Sequence, residues 1–473
     1  MTYFDHMWNK NLKSYFSAVL LSVAIGGSAV TLDEAKEMYR AGDFTGALPV
    51  FLDAYKTKPR DASLNQWIGV CLIQEGRPDE AVKYLRFAHD KGVAEAPRYL
   101  AELAFYDYDF DKAEEYIERY EKSLKKSRKP LPEDMEALQA RIDIARNMLD
   151  RVEKIVIIDS VAVDRDEFFK AYRLSPESGS VNDADVLPQG YEAASMTAVY
   201  MPETRSFMAW AAPDSMENYV LVGANQLFDG SWEAPRVLGE SLAMNGDSNY
   251  PFMMSDGVTL YYANDGDESL GGYDIFISRK DEDDFLQPQN IGMPYNSPYD
   301  DYLLAIDEVT GVGWWATDRN QLGDYITIYK FIPSDLRNNY PVDTPDLAAK
   351  ARVASYRSTW AEGDDYSGLL AEIEAIDPDR KVKKEDFRFA LPGGRVYTTW
   401  DDFKKPRARH QMEEYVRSKD ALDKDLDELA ALRVRYHDGD RSVKDAVLRL
   451  EKRVIAAREE LKAKANEVVK AER

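Results

Sequence analysis

What most constrains the fold of this 473-residue chain is a pattern that returns. Ser255 to Phe276 reads SDGVTLYYANDGDESLGGYDIF: a tight turn, a strand, an acidic glycine-rich loop and a second strand. Ser-Asp-Gly turns because Asp hydrogen-bonds the backbone that follows it and Gly takes positive φ without steric cost. Val258 to Ala263 and Tyr273 to Ser278 have the β-branched and aromatic composition of strands. The same order appears upstream in RSFMAWAAPD and ENYVLVGAN, and downstream in GVGWWATD and GDYITIYKF. Tyr219, Tyr273 and Tyr325 mark corresponding places, 54 and 52 residues apart. A small sheet of this size cannot bury both faces by itself, so each unit must stack against its copies.

The run YPFMMSDGVTLYYAND…GGYDIFISR resembles the WD40-like (TolB-type) β-propeller repeats of bacterial envelope proteins, over roughly residues 186–335. Three repeats are legible, and a propeller normally has at least four blades. The strand-like segments at 154–164 and 387–400 are the expected sources of the remaining strands. The propeller is therefore expected over residues 154–340, with 386–402 available to close it. Tyr250, Asp301 and Tyr302 recur at similar places in successive repeats (NYPF and DDYL). Rings beside acids suit a partner surface rich in basic residues; packing between blades is the competing role.

Residues 32–122 follow a different period. Gly42 and Gly76 are 34 residues apart, as are Ala47 and Ala81, Phe51 and Leu85, and Ala54 and Ala88. A third copy is shorter by two residues and sets Ala113 in the role of Ala81. Alanine where two helices cross lets them approach, the larger residue four positions on fills the groove, and glycine turns the chain. This arrangement resembles the tetratricopeptide repeat. Residues 31–153 are the expected helical array, ending in a capping helix begun after Pro130 and Pro132. Solenoid repeats need only their neighbours, so the array is expected to fold alone. The resemblance implies a concave face lined by Tyr39, Gln66, Ile73, Arg98 and Phe105 that binds peptides or proteins.

Residues 341–385 read as a helical linker. In 403–473, Leu422, Leu426, Leu429 and Leu432 form one stripe; Val443, Val447, Leu450, Val454, Ala457 and Leu461 form another. Such seams fit a helical hairpin within the chain or a coiled coil between chains. Envelope proteins that join these two repeat types often end in an OmpA-like domain, and nothing in this tail resembles one. The fold class is thus multidomain α + β: an α-solenoid, a β-propeller and a C-terminal helical pair.

Lys10 and Lys13 precede the apolar run YFSAVLLSVAI, with Gly27 and Ala29 spaced as a cleavage site, so residues 1–29 are expected to be a signal peptide and the protein periplasmic. Cys71, the sole cysteine, cannot form an intramolecular disulfide and sits too far along for a lipid anchor. A net charge of −24 repels nucleic acid and anionic membranes. His89, His410 and His437 have no metal-ligand spacing, and no nucleotide or nucleophile-elbow motif occurs. Neither cofactor nor metal is expected. The function expected is a non-enzymatic scaffold for other envelope proteins, placed in an outer-membrane assembly or secretion apparatus, with self-association through 403–473 open. The alternative is a propeller glycosidase or glycan binder, for which Asp247, Asp300, Asp301 and Asp318 are candidate carboxylates.

Overall fold

A computed structural model describes residues 30–227, 231–281, 284–334, 336–376, 387, 389–390, 396–397, 399–437 and 440–472. The expected leader, residues 1–29, lies outside them. The chain is mixed α + β: helices first, antiparallel sheets next, helices again at the end.

Helices α1 (Leu32–Arg40), α2 (Phe44–Thr57), α3 (Ala62–Gln74), α4 (Pro78–Asp90), α5 (Ala96–Tyr106), α6 (Phe110–Lys126) and α7 (Glu133–Leu149) pack in sequence order, α1–α6 as three antiparallel pairs. Side-chain caps start several of them: Thr31 with Glu34 forms a capping box, and Asp43, Asp61 and Asp109 each accept a first-turn N–H. One turn closes the first helix of every pair. The N–H groups of Gly42, Gly76 and Tyr108 donate to the carbonyls of Tyr39, Ile73 and Phe105. Those of Asp43, Arg77 and Asp109 donate to Met38, Leu72 and Ala104. The central residue is left-handed each time, with φ of 84°, 71° and 61°. Glycine accepts this freely; Tyr108 carries a strain of about 1 kcal/mol.

Tyr108 is placed where it joins the helices to the sheets. Its ring is buried, with the Arg352 guanidinium 5.4 Å from its centre. Leu270, Met293 and Ala351, all from beyond the helices, belong to the same apolar core as α5, α6 and α7. The Tyr106 and Tyr299 rings lie 5.1 Å apart, Glu153 N–H donates to the Met293 carbonyl, and Tyr340 N–H donates to that of Val152. The helical array thus shares its last core with residues of the sheet region. Residues up to 380 form one compact unit.

Three sheets follow. The first contains β2 (Ser180–Asn182), β3 (Val199–Met201), β4 (Phe207–Pro213), β5 (Tyr219–Asn225) and β6 (Arg236–Val237) in that order. The second contains β7 (Ser248–Met253), β8 (Thr259–Asn264), β9 (Asp274–Asp281) and β10 (Asp284–Phe285), with β11 (Gln289–Asn290) also on β9. The third contains β12 (Asp301–Asp307), β13 (Val312–Leu322) and β14 (Tyr325–Ile332), and is completed by β1 (Val156–Asp164) from the start of the sheet region. The Ser-Asp-Gly turn forms as expected: Asp256 Oδ1 accepts from Val258 and Thr259 N–H, and Gly257 has φ of 66°.

Paired aspartates hold neighbouring sheets together at one end. Asp247 Oδ1 accepts from Tyr219 N–H at the head of β5, 3.0 Å, while Asp247 N–H donates to Asp265 Oδ1, 2.6 Å. One sheet later, Asp300 Oδ1 accepts from Tyr273 N–H, 2.9 Å, and Asp300 N–H donates to Asp318 Oδ1, 3.0 Å. The shared core gathers Tyr200, Phe252, Ala305, Trp314 and Ile326 from the three sheets. Its centre is filled by Phe168, whose ring lies 6.0 and 5.3 Å from those of Tyr250 and Tyr302. The expected linker is docked: α8 (Leu347–Arg352) buries Ala351 against the helices, and α9 (Ser367–Glu374) buries Ile373 in the sheet core.

Residues 381–473 form a second unit. In it β15 (Phe389–Ala390) and β16 (Val396–Tyr397) pair with each other; among the described residues it is β1, rather than a strand from 386–402, that completes the third sheet. Helices α10 (Pro406–His437) and α11 (Lys444–Glu472) pack together, with Leu422 and Leu429 buried against Leu450 and Val454. Both stripes thus meet within the chain, as a hairpin.

Buried acids give the unit a pH dependence. Burial first, and the Asp300 charge second, push the Asp318 carboxyl up to about 8 against the pull of Arg165. Burial raises Asp274 to about 7, opposed by hydrogen bonds from Leu270 N–H and Asn290. Both acids hold a proton more tightly folded than unfolded, so their contribution is complete below about 4 and lost as pH rises through 7–8. Thermal melts should therefore show stability falling between about pH 4 and pH 8, and Asp318→Asn should flatten the fall. An unchanged slope in that variant would refute the assignment.

Candidate partner-binding cleft

The expected concave residues do not share one open surface. Tyr39, Ile73 and Phe105 are the same position of successive helix pairs, the residue whose carbonyl receives the turn N–H. Ile73 and Phe105 are each 1% exposed and belong to the apolar cores, so as partner contacts they are corrected to packing residues. Gln66 is buried too, with Oε1 lacking a hydrogen-bond partner. Tyr39 is half-buried, edge-on to Phe44 and Phe51; burial and then neighbouring Tyr99 hold its hydroxyl above the usual tyrosine range. Arg98 is a quarter exposed and already engaged: Nη2 lies 2.5 Å from Asp134 Oδ2 on α7, and Nε lies 4.0 Å from Glu102. Burial raises Glu102 to about 7, with Arg98 pulling it down.

The sheet candidates are buried as well. The rings of Tyr250 and Tyr302 stack with centres 4.7 Å apart. The side chains of Asp301 and Arg319 are 0% and 2% exposed, with Nη2 2.6 Å from Oδ1, and Arg319 also donates to the carbonyls of Pro294 and Tyr295. These three are therefore internal and correct the expectation of a partner surface. The apparent recurrence of Tyr250 as Tyr302 slips by one residue. Strand register pairs Asn249 with Ala263 and Tyr302 with Ala316, which makes Asn249 the counterpart of Tyr302. Tyr250 corresponds to Leu303, and both take positive φ (55° and 47°) at an irregularity in their strands.

A recess does occur at the end of the sheets opposite the paired aspartates. Glu203, Ser255 and Glu308 occupy the same place in the turns β3–β4, β7–β8 and β12–β13. Between the second and third sheets, Ser255 N–H and Oγ both donate to Glu308 Oε2, the N–H bond being 3.1 Å. Ahead of the first sheet, Ser175 and Ser178 both donate to Asp307, so the third sheet is fastened on this side too. Between the first and second sheets, Ser241 after β6 donates its N–H and Oγ to Asp284 of β10, but among the described residues no hydrogen bond joins the β3–β4 and β7–β8 turns. Both donors of Ser255 are taken by Glu308, and Glu203 finds none among the described residues. A cleft of about 490 Å³ remains, floored by Tyr200, Phe207, Met253 and Met254, with Glu203 and Lys280 among its polar lining.

No family model, curated protein or solved structure matches this chain. The cleft is thus interpreted on its own chemistry. Its volume lies within the range of small-ligand pockets and suits one or two side chains. Met253 and Met254 give an adaptable apolar floor. The side chains of Glu203 and Lys280 are exposed and make no hydrogen bond or ion pair among the described residues. The acids weighed as glycosidase pairs lie elsewhere: Asp247 and Asp300 accept backbone N–H groups of the neighbouring sheet, Asp318 accepts from Asp300 N–H, and Asp301 is paired with Arg319. Sequence reasoning missed the cleft, although a serine flanked by glutamates at one turn position was visible.

A packing role for the helical residues has a direct consequence. Phe105→Ala should lower stability by about 3–5 kcal/mol, the cost of emptying an aromatic core site. Arg98→Glu would set a third carboxylate beside Glu102 and Asp134 and should add to that loss. Denaturant titration is the check; an unshifted midpoint for Phe105→Ala would return this residue to the surface.

Proposed function

We propose that the chain is a non-enzymatic scaffold of the bacterial periplasm, in which a tetratricopeptide-like array and a propeller-like stack of sheets form one platform for protein partners. The observation that carries this reading is the shared core around Tyr108, where Leu270, Met293 and Ala351 join α5–α7. Fusing two repeat arrays through a common core fixes the distance between anything held on one and anything held on the other. Freely hinged arrays would bring partners together only by raising their effective concentration. A place in an outer-membrane assembly or secretion apparatus extends the same reading by analogy of fold.

Crosslinking of the native chain in envelopes, followed by peptide mapping, should join specific partner proteins to both the helical and the sheet surfaces. Recovery free of partners, together with turnover of chromogenic glycosides, would replace this reading with the enzymatic one. N-terminal sequencing of the same material should find the first residue near Val30, as the leader pattern implies; an intact start at Met1 or Met7 would refute cleavage of the leader.

A further inference from the structure

We propose that the cleft between the first two sheets holds a short extended segment of a protein partner, an apolar side chain flanked by lysine or arginine. This rests on the scaffold reading and names the chemistry of one of its contacts. The floor of Phe207, Met253 and Met254 provides an apolar seat, and methionine adjusts to side chains of different shape. A recess of about 490 Å³ has room for a ring and a neighbouring stem but not for a folded domain.

Charge selects the flanking residues. Two carboxylates, Glu177 and Glu203, line the cleft against one ammonium, that of Lys280. Asp256 and Glu308 lie close enough to hold the Tyr200 hydroxyl above its ordinary range, after the larger effect of burial. Burial alone would raise Asp256, but hydrogen bonds from Thr259 and Val258 N–H and from the Thr259 hydroxyl outweigh it and keep the carboxyl below its usual value. Arg279 also acts on Asp256, so the four carboxylates Glu177, Glu203, Asp256 and Glu308 stand against two cations, Lys280 and Arg279, an acidic excess at neutral pH. Glu203 is the group best placed to meet a cation, because its counterpart Glu308 has Ser255 as partner and Glu203 has none among the described residues. An exposed glutamate at a turn costs little to leave unpaired, so the free chain is not destabilised while it waits.

The test is calorimetric titration of the full chain with three capped peptides: Gly-Lys-Phe-Lys-Gly, Gly-Glu-Phe-Glu-Gly and Gly-Lys-Ser-Lys-Gly. The first should bind at least about tenfold more tightly than the other two. Glu203→Lys, at an exposed site where folding is unaffected, should weaken the first about three- to tenfold and improve the second. In methionine-methyl NMR spectra, the first peptide should shift the resonances of Met253 and Met254. Absence of binding, or binding indifferent to Glu203→Lys, overturns the proposal. So does concentration-dependent self-association that shifts the same methyl groups, which would make the occupant a second copy of this chain. If the peptides fail while crosslinks still join partners to the helices, the scaffold reading stands without the cleft; if both fail, both fall.

Discussion

A backbone N–H buried where two sheets meet must find an acceptor, since leaving it bare costs about as much as the stacking could gain. Tyr219 and Tyr273 present such groups at the heads of β5 and β9, and the carboxylates of Asp247 and Asp300 take them. Each of these acids is then positioned by a second, Asp265 or Asp318, through its own N–H. Two junctions built alike fix the spacing of three sheets. The junction between the third and first sheets cannot be built this way, because β14 opens by pairing with β1. Arg165, which follows β1, stays within the third sheet: its N–H donates to the Asp324 carbonyl and its guanidinium lies 3.7 Å from Asp318. A chain with 85 acidic residues thus places several of them inside, where they act as parts of the backbone's hydrogen-bonding system.

Much of this architecture is legible in the residues, and the losses have physical causes. Gly42 and Gly76, which take the left-handed turn freely, and the alanines at helix crossings, which allow close approach, announce helical pairs. The third turn hides, since Tyr108 adopts the same backbone geometry with a side chain that suggests no turn. Strands and the Ser-Asp-Gly turn show through alternation and turn chemistry. A strand irregularity then moves the true correspondence one residue away from the aromatic match, turning Tyr250 and Tyr302 from surface candidates into core. The stripes of the C-terminal helices were visible, but periodicity states that a seam exists and not what meets it. The cleft was least legible of all. It arises from a count of donors at three turns distant in sequence, a property that no single segment carries.

Tyr108 also shows why a resemblance between repeats can mislead about independence. A helical pair that needs only its neighbours can be cut out of a protein. One whose turn residue is a buried aromatic, with the Arg352 guanidinium over its ring and Arg352 also hydrogen-bonded to the Asp107 carbonyl, cannot be removed without exposing that ring. The left-handed strain at Tyr108 and the apolar area it buries belong to the same design: the strain is tolerated because the ring is needed at that junction.

The pairing of β1 with β14 fixes an order of events. Residues 156–164 leave the ribosome well ahead of the three sheets, yet their partners, residues 325–332, come after nearly all of them. Until then Ile157 and Ile158, fully buried in the finished fold, have no sheet to join. Nascent chains that stall or are cleaved before β14 would carry an unpaired apolar strand, a ready template for aggregation and a target for chaperones and proteases. The last-made strand is thus a checkpoint on the integrity of the whole sheet region, and loss of a few residues there would be felt at the opposite end of it.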